Sequence, residues 1–294
     1  WFPVPAQSQT EPATAQAIVV EDTPVQHVQD KTAEIQALVD SAPNGIVNLD
    51  LTPYDGCGVT SINIGSNVQS FKVDATRPIT INMLPLVKMS NGVPISMSKG
   101  LLHVDHRVGT TEFTLPYFES GPNITYDGLA TVIKDPIKSD EYHGPLGLLR
   151  PIFYQIAYKD GTISRFVWRS NCRNTCKSAV HLIETADGLI ECNFTNANRH
   201  AIGAIYKQGT APYNVVVRAT FDNVSAPFDF SVSTKSLKRT VTPNATVDIK
   251  TNGVWWRTKI HGHWNVDLKI NATGDGRTGY AGIDVANETV GLVR

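Results

Sequence analysis

From Gly45 onward, apolar and polar residues alternate in short β-branched runs broken by turn residues. Such alternation places one face of a strand in a core and the other in solvent. The runs are Gly45–Thr52, Val59–Ile64, Val68–Val73, Ile79–Val87, Leu101–Val108, Thr111–Phe118 and Leu129–Ile133. They continue as Ile152–Tyr158, Ile163–Arg169, Ala179–Thr185, Leu189–Phe194, Ala201–Lys207, Tyr213–Phe221 and Phe228–Val232. Asn91-Gly92, Gly121-Pro122 and Gly144-Pro145 punctuate them, and Asp160-Gly161 and Asp187-Gly188 read as hairpin turns between adjacent runs. One helix is expected, Thr32–Ser41: Thr32 is a cap, Ile35, Leu38 and Val39 share a face, and Ala42-Pro43-Asn44-Gly45 ends it. No internal repeat is evident, which argues against a propeller or a β-solenoid and for a sandwich or jelly roll.

Composition agrees with an all-β chain. Of 294 residues 41% are hydrophobic and 18% charged, with 22 Gly and 17 Pro, so a packed core is within reach and wholesale disorder is excluded. No apolar run is long enough for a membrane-spanning helix. Trp1–Asp30 is rich in Pro, Gln, Thr and Ala, a linker-like composition that needs another surface to order it. Trp1, Phe2 and Ala17-Ile18-Val19-Val20 are its candidate anchors. After Lys235 the chain changes character: Ser236–Pro243 is polar and basic, Val254–Ile270 carries Trp255, Trp256 and Trp264, and Asn271–Arg294 is Gly-rich. These shifts divide the chain into an arm with a short helix (1–51), a main domain (52–235) and a C-terminal extension (236–294).

The first 55 residues hold eight acids against Lys31 alone, the wrong sign for an arm that grips nucleic acid. The four cysteines, Cys57, Cys172, Cys176 and Cys192, read as reduced thiols or as a single disulfide. No nucleophile elbow, phosphate loop, dinucleotide fingerprint or His-Glu-x-x-His occurs, so no catalytic, cofactor or metal site is assigned. His103-Val104-Asp105-His106 splits its ligands between two strand faces, and His261-Gly262-His263 reads as a surface or interface pair. That pair titrates in the range of an acid sensor. Six sequons occur, at Asn123, Asn193, Asn223, Asn244, Asn271 and Asn287, and several would carry glycans in a secreted protein, although Asn193 lies inside a strand run.

Four segments in the second half resemble the coat proteins of picorna-like positive-strand RNA viruses, particularly those of insects. They are Arg165-Phe166-Val167-Trp168-Arg169-Ser170, Gly188-Leu189-Ile190-Glu191-Cys192-Asn193-Phe194, Asn214-Val215-Val216-Val217-Arg218-Ala219 and Pro227-Phe228-Asp229-Phe230. The Gly expected between Arg169 and Ser170 is missing, and Phe228 stands for the first Asp of the family's late motif. The resemblance implies an eight-stranded antiparallel jelly roll of viral capsid type with an extended N-terminal arm and a C-terminal extension. It also implies polyprotein processing, which would explain a start at Trp1. The expected function is then structural and non-enzymatic: assembly with other capsid chains, identical and different, into an icosahedral shell. Its expected place is the virion, and the host cytoplasm during assembly. Loop Pro136–Pro151 or Val254–Ile270 would project outward to an unidentified receptor, and Lys238 and Arg239 would touch genomic RNA or an acidic neighbouring arm. Two other readings are open. One is a secreted carbohydrate-binding β-sandwich using Trp255, Trp256 and Trp264. The other is a glycoside hydrolase, which needs two carboxylates facing each other across a cleft.

Overall fold

The computed structural model describes residues 28–60, 62–65, 67–84, 86–90, 93–98, 102–103, 115–128, 153–154, 164–175, 179–183, 185–206, 214–232, 244–252, 257–261, 265–273 and 282–285. Among them one α-helix, α1 (Thr32–Asp40), precedes the strands. The first strands are β1 (Ile46–Asp50), β2 (Gly58–Val59), β3 (Ile62–Asn63), β4 (Ser70–Asp74), β5 (Ile79–Met83), β6 (Leu86–Ser90), β7 (Val93–Ser98) and β8 (Leu102–His103). Next come β9 (Tyr117–Ser120), β10 (Ile124–Asp127), β11 (Phe153–Tyr154), β12 (Ser164–Trp168), β13 (Asn171–Thr175) and β14 (Val180–Ile183). The last are β15 (Thr185–Tyr206), β16 (Asn214–Val232), β17 (Asn244–Asn252), β18 (Arg257–His261), β19 (Asn265–Thr273) and β20 (Gly282–Val285).

Apart from the antiparallel hairpin β6–β7, the described strands pair in parallel. They stack in three files. The first file runs β1, β4, β9, β12 and then the leading parts of β15, β16, β17 and β19. The second runs β2, β5, β10, β13 and the middle or trailing parts of the same four long strands. The third runs β3, β8, β11, β14, the ends of β15 and β16, then β18 and β20. The described residues visit the three files in turn eight times and so form a parallel β-helix of eight coils.

This corrects the expected antiparallel jelly roll. A jelly roll requires antiparallel neighbours, whereas here successive first-file strands run the same way in register. The alternating pattern could not discriminate, because an outward/inward pleat is common to both arrangements. Two sequence arguments fail for a related reason. Asp187-Gly188 lies inside the continuous strand β15 and not in a hairpin. The solenoid excluded for want of a repeat is the fold that forms; the return from one coil to the next takes as few as 21 residues (Ala245 to Val266) and as many as 51 (Leu102 to Phe153). Asp160-Gly161 lies outside the described residues.

The core is built as columns along the axis. One inward column of the first file reads Val47, Phe71, Phe118, Phe166, Gly188, Val215, Ala245, Val266, one residue per coil. Within it Phe71, Phe118 and Phe166 stack with centroids 5.8 and 5.3 Å apart. Identical side chains one strand spacing apart pack face over face, adding ring attraction to simple burial. The second file repeats the device with Phe194 over Phe221 at 5.1 Å. Ser120 is one of the few polar residues in the described interior, with Ser170, Thr251 and Asp127, and its hydroxyl meets Tyr126 Oη at 2.9 Å and Ser170 Oγ at 2.6 Å. That pairing satisfies groups whose desolvation would otherwise be costly.

Helix α1 closes the first end of the stack. Ile35 and Val39 are buried beneath the first coil, and Tyr54 Oη donates to Glu34 at 3.1 Å. Just before the helix, Gly58 N donates to Gln29 O (2.8 Å) and Lys31 N to Gly58 O (2.9 Å), pairing the chain with the second file. The helix falls where periodicity places it, but Thr32 is its first residue and not its cap: Lys31 stands at the N-cap without a side-chain hydrogen bond, and of the expected face Leu38 is exposed. The strands β17–β20, from the stretch after Lys235, pair with β16 and with one another and so prolong the same stack.

Candidate functional site

The outward side of the first file carries a second column, with one residue per coil: Asp50, Asp74, Gly121, Arg169, Glu191, Arg218, Asp248, Lys269. From Arg169 to Lys269 the sign alternates at every step. Arg169 Nε lies 3.3 Å and Arg218 Nη1 2.7 Å from the Glu191 carboxylate, and Lys269 Nζ is 3.6 Å from Asp248. Flanked by two guanidiniums, of which Arg218 contributes most, Glu191 is held below the ordinary carboxylate range. Strands one spacing apart bring these groups together automatically, so alternation stabilises the register and repetition of one sign would oppose it.

The alternation breaks in the first two coils. Asp50 and Asp74 are register partners on β1 and β4, two carboxylates about 4.8 Å apart at the backbone. Neither has an ion-pair partner among the described residues. Asp50 accepts hydrogen bonds from the Thr52 hydroxyl and the Thr52 N–H (2.9 Å), which hold it ionised below its ordinary range. Among the described residues Asp74 accepts from the N–H of Ala75, at 2.8 Å. The next station of the column is Gly121, where a Cβ would lie 2.1 Å from the Asp74 carboxyl carbon. The missing side chain leaves room for that carboxylate to lean along the axis.

Around this break lies a groove of about 610 Å³, lined by Asn48, Asp50, Lys72, Asp74, Glu119 and Gly121 among others. Glu119 is already engaged by Arg169 (3.0 Å), Lys72 (3.9 Å) and the Tyr117 hydroxyl. Burial and this carboxylate together push the Tyr117 phenol up, so it remains a hydrogen-bond donor. The groove therefore holds three carboxylates against one ammonium, and two of the carboxylates retain free lone pairs facing solvent.

Side by side on one sheet, Asp50 and Asp74 do not form the opposed pair that the hydrolase expectation requires. Sequence reasoning singled out neither, nor Glu119, Lys72 or Gly121, because no acid stands out from its neighbours in one dimension. A signal was present: Val47-Asn48-Leu49-Asp50 and Phe71-Lys72-Val73-Asp74 share a form and lie one coil apart.

Three of the sequon asparagines have structural roles. Asn223 Nδ2 donates to Asn196 (2.8 Å), Asn244 Nδ2 to Asn214 (3.0 Å) and Asn123 Nδ2 to Ala75 O (2.7 Å). Asn193 and Asn271 are exposed on strands. Cys57, Cys172 and Cys192 are free thiols, the last two buried. His103 ends β8 and His261 ends β18. Trp1, Phe2, Ala17-Ile18-Val19-Val20, His106, Pro136–Pro151, Cys176, Lys238, Arg239, Trp255, Trp256, His263, Trp264 and Asn287 lie outside the described residues. Among the described residues no three His, Cys, Asp or Glu side chains gather to hold a metal ion, and no helix is long and apolar enough to cross a membrane.

No protein-family model matches the chain, nor does any curated protein or solved structure.

Proposed function

We propose that this chain is a carbohydrate-binding protein whose groove, on the outer face of the first three coils, holds an extended polysaccharide. The observation that carries this reading is the Asp50–Asp74 pair. A column that alternates in sign from Arg169 to Lys269 here sets two carboxylates side by side, with no ion-pair partner among the described residues, in a groove whose Lys72 is paired with Glu119. Departures from a fold's own local rule concentrate at functional sites. Ionised carboxylates with spare lone pairs accept strong hydrogen bonds from sugar hydroxyls. A stack that repeats every 4.8 Å or so offers a rigid track for a linear polymer.

Binding of the purified chain to an array of linear polysaccharides tests the reading, with the Asp50→Asn/Asp74→Asn double variant beside it. Retention of at least one glycan by the wild type, and its loss in a variant with an unchanged circular dichroism spectrum, is the expected outcome. Equal binding by both proteins, or none by the wild type, overturns it.

Assembly into a virus shell is the competing proposal. Its support is the sequence resemblance of four segments to coat proteins; three of these segments lie on successive coils of the first file, and the fourth, Pro227–Phe230, lies in the third. Sedimentation of native material as a megadalton particle would favour it over the groove.

A further inference from the structure

The fold sorts the sequon asparagines by what their side-chain amides already do. Asn123, half-buried just before β10, donates from Nδ2 to Ala75 O at 2.7 Å. Asn223, half-buried with φ of 54°, donates to Asn196 at 2.8 Å. Asn244 donates to Asn214 on the preceding coil at 3.0 Å. A sugar on any of these nitrogens would crowd the acceptor beside it and put a donated hydrogen bond at risk. Asn193 and Asn271 differ: both are exposed, and neither amide nitrogen has a partner among the described residues. Register through Thr220 and Lys250 sets the two in one column on the outer face of the second file, three coils and about 14 Å apart. Glycan transfer requires a hydroxyl residue two positions after the asparagine, and an extended strand puts those two positions on one side. Thr195 stands so beside Asn193, and Thr273 takes the equivalent register position after Asn271.

We propose that Asn193 and Asn271 are N-glycosylation sites, and that the outer face of the second file carries the glycans. In the step, Asn Nδ2 attacks the anomeric carbon of a lipid-diphosphate-linked oligosaccharide. The C–N bond forms as the C–O bond to the diphosphate breaks, so the lipid diphosphate leaves and an amide proton passes to a base of the transferase. The chain supplies only the acceptor, and at these two positions the product costs no hydrogen bond of the fold. The inference does not rest on the groove, which lies on the first file. It implies passage through a secretory compartment, which weighs against assembly in a host cytoplasm.

Native material, and the full chain secreted from eukaryotic cells behind a cleavable leader, are digested with a peptide-N-glycosidase in heavy-oxygen water. Each occupied asparagine becomes a labelled aspartate, which mass spectrometry places in the sequence. Asn193 and Asn271 are labelled in most copies of the folded, secreted chain, and Asn123, Asn223 and Asn244 in few. Thr195→Ala and Thr273→Ala each remove one glycan, read as one step in gel mobility, with the melting temperature kept. Asn223→Gln leaves the glycan mass unchanged but lowers the melting temperature, because it disturbs the donation to Asn196. Unlabelled Asn193 and Asn271 in native material overturn the inference. So does labelling of Asn223 equal to that of Asn193, or a glycosylated chain that never leaves the cell folded. Binding to the polysaccharide array is read separately on the deglycosylated chain, so the groove stands or falls on its own result.

Discussion

Asn174, Asn196 and Asn223 occupy equivalent stations on successive coils with φ of 57°, 51° and 54°, in the left-handed region. Asparagine tolerates that region better than other side chains bearing a Cβ, and here its amide has a second use. Asn223 donates to Asn196 at 2.8 Å, Asn196 to Asn174 at 3.3 Å, and Asn174 to Asp127 at 2.9 Å. Asn196 gives and receives within this ladder. Asn196→Ala should therefore cost about 2–4 kcal/mol, from two lost hydrogen bonds and an alanine forced to positive φ. Asn196→Gly relieves only the backbone part, and urea unfolding of the two variants separates the contributions. Glu191 sets a different dependence. Its acidity is increased in the fold, first by Arg218 and then by Arg169, so its contribution to stability is complete above the ordinary glutamate value of 4.5. It fades as pH falls through the lowered folded value. Melting temperature followed from pH 7 downward should drop less steeply in Glu191→Gln than in the wild type.

At the scale of elements, α1 matters more than its nine residues imply. A parallel β-helix ends in unpaired backbone and an open core, a template for another chain. Ile35 and Val39 cover that end, while the Gln29–Lys31 backbone pairs with Gly58. Ile35→Asp puts a charge under the first coil, costing roughly 2–4 kcal/mol of cap stability. The expected consequence is concentration-dependent association in sedimentation velocity, with the strand signal retained in circular dichroism. A variant that stays monomeric at every concentration would show the cap to be dispensable.

Across the whole molecule, stability comes from contacts between neighbouring coils, and the core columns are continuous from β1 to β19. Cys172 and Cys192 face this core and are buried, and burial pushes both thiols well above their ordinary range. Under native conditions neither should react with a thiol reagent except through unfolding, so their modification rate should equal the unfolding rate. Half-buried Cys57 should react first among the described cysteines. Rapid native labelling of Cys172 would mean that the middle coils open independently of the rest.

Most described strands, the helix near Thr32 and the acidic start were legible in one dimension, because each follows from local pattern and propensity; the Asp187-Gly188 turn was not, since that dipeptide lies inside β15. One fragment of the deeper order was legible too. The form apolar–x–apolar–charged recurs in Val47–Asp50, Phe71–Asp74, Phe166–Arg169, Val215–Arg218, Ala245–Asp248 and Val266–Lys269. Unequal spacing hid it, since the hairpin β6–β7 and other insertions lengthen some coils and a fixed period is what marks a repeat. Ser120 and Gly188, polar or small at inward stations, blurred it further. Strand direction was not decidable locally either, because parallel and antiparallel ladders place the same residues inward. Only the tertiary stack decided that Asp50 and Asp74 are neighbours. Residues a full coil apart in the chain meet where parallel strands align, and that alignment sets the charge column, its one like-charged step and the groove beside it.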